Sequence, residues 1–94
     1  MQYRFEWDSK KANTNMKKHK VSFEDAATVF KDSNALTIYD GKHSSDQEDR
    51  FITLGLAFSG RLLIVVHTFY ELNQNICIVS RKPIKEEKNQ YIRG

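Results

Sequence analysis

The chain has 94 residues, of which 39% are hydrophobic and 12% aromatic, a composition typical of one folded domain rather than of a disordered chain. No segment approaches the roughly 18 consecutive apolar residues of a membrane span, and the first residues lack the apolar core of a signal peptide. Cys77 is the only cysteine, so an internal disulfide is excluded and we expect a cytoplasmic protein with no membrane contact.

The charges are unevenly distributed along the chain, although the net charge is only +3. Residues 1–20 hold six Lys/Arg against two acids, residues 21–49 hold two against seven, and residues 50–94 hold seven against three. Basic ends and an acidic middle could present one surface to an anion and another to a basic partner. A mixed, solvated surface fits the same counts, and only clustering of the basic ends in space would indicate a nucleic-acid surface.

The first half of the chain predicts a strand, two helices and a second strand. Apolar and polar residues alternate over residues 3–7, which predicts a short strand. Asp8 and Ser22 are typical N-cap residues, each followed by a helical segment. In the first helix, residues 9–18, Ala12 and Met16 are predicted to face inward. The second helix carries apolar residues at helical spacing, and a short strand follows at residues 36–39.

The second half predicts a polar loop over residues 40–49, then three strands and a final helix. The strands are residues 50–58, 61–70 and 76–81, and the helix follows Pro83. The strand at 61–70 is the longest apolar run, apolar at odd and even positions, so we place it in the middle of the sheet. The order is β-α-α-β-β-β-β-α. It predicts one α+β domain over residues 1–94, an antiparallel sheet with helices packed mainly on one face.

The turn Ser59-Gly60 sets the predicted register of two neighbouring strands. A two-residue hairpin turn places Ile52 opposite His67, with Arg50 diagonal to His67 on the same sheet face. A bulge at Gly55 would instead move Arg50 to the other face.

Few residues in the chain carry recognisable chemistry. The three histidines lie on different elements without metal-ligand spacing, and the glycines form no phosphate-binding loop, so we expect no metal and no cofactor. Cys77 lies inside an apolar strand, where a buried thiol is expected rather than a nucleophile. Metal-free RNA cleavage needs a base, an acid and cations beside the phosphate, and suitable types are present: Arg50, His67, Arg81, Glu48 and Tyr91. Each also has a structural interpretation, and for His67 this is a hydrogen-bonded core residue.

The order of short motifs resembles the BrnT family over nearly the whole chain. The motifs are Phe5-Glu-Trp-Asp8, Lys11, Asn15, Lys18-His19, Val21-Ser-Phe-Glu24, Ala27, Val29-Phe30, Asp40, His43-Ser44, Glu48, Arg50, Leu54-Gly55, Gly60-Arg61, Val65-Val-His-Thr68, Ser80-Arg-Lys82, Lys85, Glu87 and Tyr91. Each motif is weak alone, and their order makes the resemblance specific.

The resemblance implies a RelE-like α+β fold and a bacterial type II toxin that halts translation as a ribonuclease. It also implies neutralisation by a DNA-binding antitoxin of the BrnA type in a hetero-oligomer, through which the complex contacts operator DNA. On this basis we expect Arg50 and Arg81 to hold the phosphate, His67 or His19 to carry a proton, and Glu48 to orient one of them. Further attraction to RNA is expected from exposed lysines: Lys10, Lys11, Lys17, Lys18 and Lys85.

Two departures from the family pattern favour an alternative. No arginine follows Thr68 within the next residues, and none lies early in the strand that ends at Arg81. The alternative is a catalytically weakened or inactive relative that binds the antitoxin and acts as a corepressor. A third interpretation, direct nucleic-acid binding without an antitoxin, has no supporting motif.

Overall fold

The structure is a computed structural model that describes residues 5–45, 48–70 and 73–93, with residues 69, 70 and 73–80 described by their backbone. The elements are β1 (Phe5–Glu6), α1 (Ser9–His19), α2 (Phe23–Ala27), a 3₁₀ helix (Thr28–Lys31), β2 (Leu36–Tyr39), β3 (Asp49–Leu56), β4 (Leu62–Tyr70), β5 (Asn73–Arg81) and α3 (Lys85–Arg93). This order confirms the predicted α+β class. The predicted strand residues 3 and 4 and the burial of Cys77 lie outside what is described.

Both predicted N-caps begin helices in the structure. The Asp8 carboxylate accepts a 2.8 Å hydrogen bond from the backbone N–H two residues on, and the Ser22 hydroxyl accepts one of 3.1 Å from the N–H of Asp25. These contacts satisfy N–H groups that have no partner within the helix. The first helix ends where Lys20 adopts a left-handed conformation, with φ of 60°, and donates its N–H to the carbonyl of Met16.

The sheet has five strands in the order β1-β5-β4-β3-β2, so β4 lies in the middle as predicted. The pairs β2–β3, β3–β4 and β4–β5 are antiparallel. The pair β1–β5 is parallel, which the sequence did not predict. The first strand therefore closes one edge of the sheet, and β2 forms the other edge.

The β3–β4 hairpin has a three-residue loop, and the predicted two-residue turn is wrong. Ala57 donates its N–H to the carbonyl of Arg61 at 2.8 Å, so these residues face each other across the loop Phe58-Ser-Gly60. Gly60 has a φ of 89°, a left-handed conformation that only glycine adopts without strain. Hairpin loops of this length commonly end in such a residue.

The longer loop shifts the register by one residue from the prediction. Phe51, not Ile52, lies opposite His67, and Arg50 lies opposite Thr68. Because side chains alternate between faces, the shift places Arg50 and His67 on opposite faces of the sheet. The predicted Arg50–His67 patch is therefore wrong, and the shift arises in the loop rather than from a bulge at Gly55.

The hydrophobic core lies between the sheet and the first two helices. We call the covered side the core face; it carries Thr53, Leu63, Val65 and His67. The buried core residues are Val21, Ala26, Val29, Ala57, Leu63 and Val65, with Phe5, Trp7, Ala27 and Phe30 packed around them. Trp7 meets the fully buried Phe23 edge-on, with ring centroids 6.2 Å apart. The first two helices and the 3₁₀ helix thus lie on the core face of the sheet, which agrees with the predicted packing of helices mainly on one face.

One inward position of α1 differs from the prediction. Asn15 is buried, whereas Met16 is 46% exposed. The Asn15 side-chain amide donates a 2.9 Å hydrogen bond to the carbonyl of Val21, just beyond the helix end. The chain turns into the core there, and a buried carbonyl needs a donor, so the amide occupies the inward position.

The opposite face is crossed by α3. A row of paired residues runs over four strands on this face: Arg81, Ile64, Leu54 and Leu36. The start of α3 contacts Arg81 through Glu87, and its end contacts Asp32, just before β2, through Tyr91. Leu54 and Ile64, between these contacts, are buried. The contacts of α3 therefore lie at one end of the opposite face, and Arg50 lies at the other end.

Gly55 provides a test of how closely the 3₁₀ helix packs on the sheet. A Cβ at this position would lie 2.6 Å from Cγ1 of Val29 and 3.1 Å from the Cβ of Ala35. We expect Gly55→Ala to lower the free energy of unfolding by about 1–3 kcal/mol through overpacking, measured by urea denaturation. The matched control is Gly41→Ala, whose new Cβ would meet only the exposed Tyr39 ring, at 3.2 Å. Equal losses in both variants would contradict the packing described.

Candidate functional site

The β2–β3 pairing continues into the polar loop and brings Asp40 opposite Arg50. Asp40 donates its backbone N–H to the carbonyl of Arg50 at 2.8 Å, in register with the neighbouring pair Tyr39–Phe51. Directly opposed residues have Cβ atoms roughly 5 Å apart and side chains on the same face. The carboxylate of Asp40 and the guanidinium of Arg50 therefore both belong to the opposite face, at the end away from α3.

Asp40 also holds an exposed histidine. Its Oδ2 lies 2.9 Å from Nδ1 of His43, and its backbone carbonyl accepts the N–H of His43 at 3.3 Å. The His43 side chain is 58% exposed, whereas that of Asp40 is 16% exposed. A carboxylate on one ring nitrogen fixes the orientation of an imidazole. The other nitrogen, Nε2, makes no hydrogen bond to the described residues and is open to proton exchange.

Ser44 fixes the geometry between the loop and β3. Its hydroxyl donates to the carbonyl of Asp40 at 2.7 Å and accepts the backbone N–H of Arg50 at 2.8 Å. Ser45 and Glu48 exchange two further backbone hydrogen bonds, of 2.9 and 3.3 Å. These contacts determine where Arg50 and Glu48 lie relative to the Asp40–His43 pair.

Arg50 is the cation of this group, and its hydrogen-bonding capacity is only partly used. The side chain is 26% exposed, and Nη2 lies 4.0 Å from a Glu48 carboxylate oxygen. Its Nε is buried without a hydrogen-bond partner among the described residues. Buried donors are normally satisfied, and a guanidinium suits the paired oxygens of a phosphate or carboxylate. The group can bind an anion through Arg50 while His43 moves a proton.

His67 is a core residue in the structure. It is 4% exposed, its Nε2 lies 2.8 Å from the Thr53 hydroxyl, and its ring stacks on Phe51 and meets Phe30 edge-on. Burial lowers the pKa of His67 from its usual 6.5 to about 4. A neutral, covered imidazole on the face away from Arg50 is poorly placed to exchange protons with a substrate, so the structure favours the core interpretation.

Arg81 lies on the same face as Arg50 but is already paired. Nη1 and Nη2 donate to the two carboxylate oxygens of Glu87 at 2.9 and 3.0 Å. The same carboxylate accepts the N–H of Ile84 at 2.9 Å, as in a capping box that begins α3. The hydrogen bonds with Glu87 raise the pKa of Arg81, and those with Arg81 lower the pKa of Glu87. This paired guanidinium connects β5 to α3.

Tyr91 also connects α3 to the sheet. Its hydroxyl donates a 2.6 Å hydrogen bond to Oδ2 of Asp32. Asp32 in turn accepts the N–H groups of Leu56 at 2.8 Å and Asn34 at 2.9 Å. These contacts, led by the Tyr91 hydroxyl, lower the pKa of Asp32. Tyr91 is placed as an anchor of the helix and does not join the group around Arg50.

His19 and the predicted RNA-binding lysines lie elsewhere. His19 is half-buried in the last turn of α1, and the next residue accepts a hydrogen bond from Arg61 at the β3–β4 loop. That loop is about 20 Å from Arg50, since β3 rises roughly 3.4 Å per residue. Exposed lysines on α1 are Lys10, Lys11, Lys17 and Lys18, and Lys85 is exposed at the start of α3. The four lysines on α1 place exposed positive charge on one helix.

The structure therefore brings together only Arg50 and Glu48 from the predicted site residues and adds Asp40, His43 and Ser44. Sequence reasoning assigned His43 to a polar loop, although it was part of the family resemblance. The available signal was the Asp-x-x-His spacing across Gly41, because residues three apart in a turn lie close together.

Within residues 5–45, 48–70 and 73–93, no three His, Cys, Asp or Glu side chains come close enough to hold a metal ion. In the same ranges no helix has the length and apolarity that crossing a membrane requires.

A comparison with protein families gives one match. The family described as "Ribonuclease toxin, BrnT, of type II toxin-antitoxin system" matches residues 7–87. Among curated proteins no match is found. The matched segment extends from Trp7, before α1, to Glu87 in α3, and so includes the whole group around Arg50.

The burial of His67 predicts a pH-dependent loss of stability. Because its pKa is lowered, the unfolded chain takes up a proton near pH 6.5 and the folded chain only near pH 4. The free energy of unfolding should fall as the pH decreases through this window, on the order of 2 kcal/mol from this residue. We expect the free energy of unfolding of His67→Gln, measured by urea titration, to vary less with pH than that of wild type between pH 7 and 4.5. Parallel curves would show that burial of His67 is not responsible.

The contact between Tyr91 and Asp32 predicts an anchoring role. Tyr91→Phe removes the donated hydroxyl hydrogen, and we expect faster amide exchange in the last turn of α3. Asp32→Asn tests the acceptor, and its effect should overlap that of Tyr91→Phe in the double variant because both act on one contact. Unchanged amide exchange in the last turn of α3 in both single variants would contradict the anchoring role.

Proposed function

The chain belongs to the BrnT family of ribonuclease toxins of type II toxin-antitoxin systems, and we propose that it cleaves RNA without a metal ion at the group formed by Asp40, His43 and Arg50. The Asp40–His43 contact opposite Arg50 carries this proposal, because it combines an exposed proton carrier with a partly unsatisfied cation. The family implies an antitoxin partner and an RNA substrate.

The proposed reaction uses the ribose 2′-hydroxyl as the nucleophile. His43 accepts the proton of that hydroxyl through Nε2, and the Asp40 carboxylate stabilises the imidazolium that forms. The 2′-oxygen bonds to phosphorus, the bond to the 5′-oxygen breaks, and the leaving oxygen takes a proton from water or from His43. The products are a 2′,3′-cyclic phosphate and a 5′-hydroxyl.

Arg50 acts on the phosphate in this proposal. Negative charge grows on the phosphate oxygens as the 2′-oxygen attacks, and a preorganised guanidinium stabilises that charge. Glu48, 4.0 Å from Nη2, holds the guanidinium before RNA binds. Because Glu48 is exposed, it can move away when a phosphate takes its place.

Attraction to the RNA backbone is assigned to the lysines of α1. Exposed Lys10, Lys11, Lys17 and Lys18 lie on this helix, and such cations raise the affinity for phosphates without reading sequence. Lys85 adds a further exposed cation at α3. The group around Arg50 carries two carboxylates, so it supplies chemistry rather than net attraction.

The proposed role in the cell follows from membership of a toxin-antitoxin family. We propose that RNA cleavage inhibits translation in the bacterial cytoplasm and that a BrnA-type, DNA-binding antitoxin neutralises the toxin in a hetero-oligomer. Operator DNA is then contacted through the antitoxin.

A second candidate function is an antitoxin-binding corepressor with weakened cleavage. One observation favours it: Arg81, one of two arginines expected to hold phosphate, has its guanidinium engaged by Glu87. The two arginines absent after Thr68 and early in β5 point the same way. A toxin that binds its antitoxin tightly and leaves RNA intact would support this function.

The proposed site is tested by cleavage of a single-stranded RNA. We expect His43→Gln to slow cleavage by about a hundredfold or more through loss of the proton carrier, and Arg50→Gln by a similar factor through loss of phosphate stabilisation. Cleavage should persist in excess EDTA. Gel analysis of labelled RNA measures the rates, and circular dichroism confirms that each variant is folded.

The matched controls are Lys42→Gln, an exposed cation in the same loop, and His19→Gln, a histidine in the last turn of α1. Both should cleave within a few-fold of wild type. Full activity in His43→Gln would rule out the proposed site, and loss of activity in His19→Gln alone would restore the sequence-based assignment.

A further inference from the structure

The edge strand β2 lacks the features that usually prevent an edge from pairing with another chain. Its four residues, Leu36-Thr-Ile-Tyr39, include no charge and no proline, and their pairing with β3 shows no bulge. In natural sheets charges, prolines and bulges keep an edge strand from pairing with another chain. An edge without them is a template for an added strand. The other edge, β1, is only two residues long.

The register shows which backbone groups of β2 face outward. Asp40 donates its N–H to Arg50 of β3. In an antiparallel pair every second residue makes such bonds, so Ile38 and Leu36 also point their backbone groups at β3. Thr37 and Tyr39 therefore point their N–H and C=O groups away from the sheet. The 2.7 Å contact between the Thr37 and Thr53 hydroxyls agrees, since side chains lie closest at pairs without backbone bonds. In the described parts of the chain these outward groups have no partner.

The side chains of β2 are also exposed. Ile38 is 62% exposed and Tyr39 is 55% exposed. Ile38 lies in a row with the half-buried Ile52 and Val66, between α3 and Arg50 on the opposite face. An added strand would extend this apolar row by one side chain on the same face.

The charge around β2 favours a protein partner with basic residues over a nucleic acid. The strand lies within residues 21–49, which hold seven acids and two bases. Asp32 lies before it, and Asp40, Glu48 and Asp49 lie at its other end. The excess of carboxylates around β2 attracts Lys or Arg beside an apolar, extended segment.

We propose that the cognate antitoxin adds an extended segment to β2 as a sixth strand, with apolar side chains over Ile38 and a basic residue at the acidic loop. The bound segment lies beside His43 and Arg50 and covers the approach to them. This inference rests on membership of a toxin-antitoxin family and not on the chemistry proposed for His43.

Amide hydrogen exchange gives the most direct test. The free toxin is compared with its complex with the antitoxin encoded alongside it, at single-residue resolution by NMR. We expect the outward amides of Thr37 and Tyr39 to slow by at least about tenfold on binding, while Ile38, already bonded to β3, changes less. Unchanged exchange at Thr37 and Tyr39 in a saturated complex would overturn the proposal.

A pair of substitutions at one position isolates the outward donor. Thr37→Pro and Thr37→Ala both lose the hydroxyl, and only Thr37→Pro lacks the outward N–H, at a position where proline leaves the β3 pairing intact. We expect Thr37→Pro to raise the Kd for the antitoxin about tenfold and Thr37→Ala to stay within about threefold. Equal affinities would refute strand addition, and if Thr37→Pro does not fold, the exchange pattern decides.

Two competing occupants give different results in the same experiments. If a second copy of the toxin pairs through β2, the free protein sediments as a dimer that Thr37→Pro dissociates, and the proposal fails. If RNA binds there, a noncleavable oligonucleotide protects the amides of Thr37 and Tyr39 in place of the antitoxin. None of these measurements depends on RNA cleavage. A protein that does not cleave RNA can therefore still confirm or refute strand addition at β2.

Discussion

The register between β3 and β4 determines which side chains can act together in this protein. It is fixed by the loop Phe58-Ser-Gly60, where the left-handed Gly60 permits one residue more than a two-residue turn. Because of this additional loop residue, Arg50 and His67 lie on opposite faces of the sheet. His67 consequently belongs to the core with Thr53 and Phe51, and Arg50 belongs with Asp40 and Thr68 on the other face.

Local signals predicted the elements of the fold well. The N-caps Asp8 and Ser22, the apolar spacing of α2 and the apolar run of β4 each depend on neighbours within a few residues, and each was confirmed. The register, the parallel pairing of β1 and the inward Asn15 depend on contacts distant in sequence. No local pattern distinguishes a two-residue from a three-residue loop at Ser59-Gly60, and the error then propagated along both strands.

The candidate site was predictable only in part for a similar reason. Residue types identified Arg50 and Glu48, but a type does not show whether a side chain is already paired. Arg81 is engaged by Glu87, and Tyr91 by Asp32, through contacts with residues that the sequence-based site did not include. Conversely, His43 is positioned near Arg50 by its contact with Asp40. Asp40 lies three residues earlier and is held opposite Arg50 by strand pairing.

The position of Trp7, the only tryptophan, has a practical consequence for spectroscopy of this molecule. Its indole meets Phe23 in the core, whereas the aromatic side chains near the β2 edge are Tyr39 and Phe51. Intrinsic emission excited at the red edge of the absorption band therefore reports on the contact between helices and sheet. The ring pair at the β2 edge, Tyr39–Phe51, is separate from the Trp7–Phe23 pair, so the native fluorophore reports loss of folding at the core.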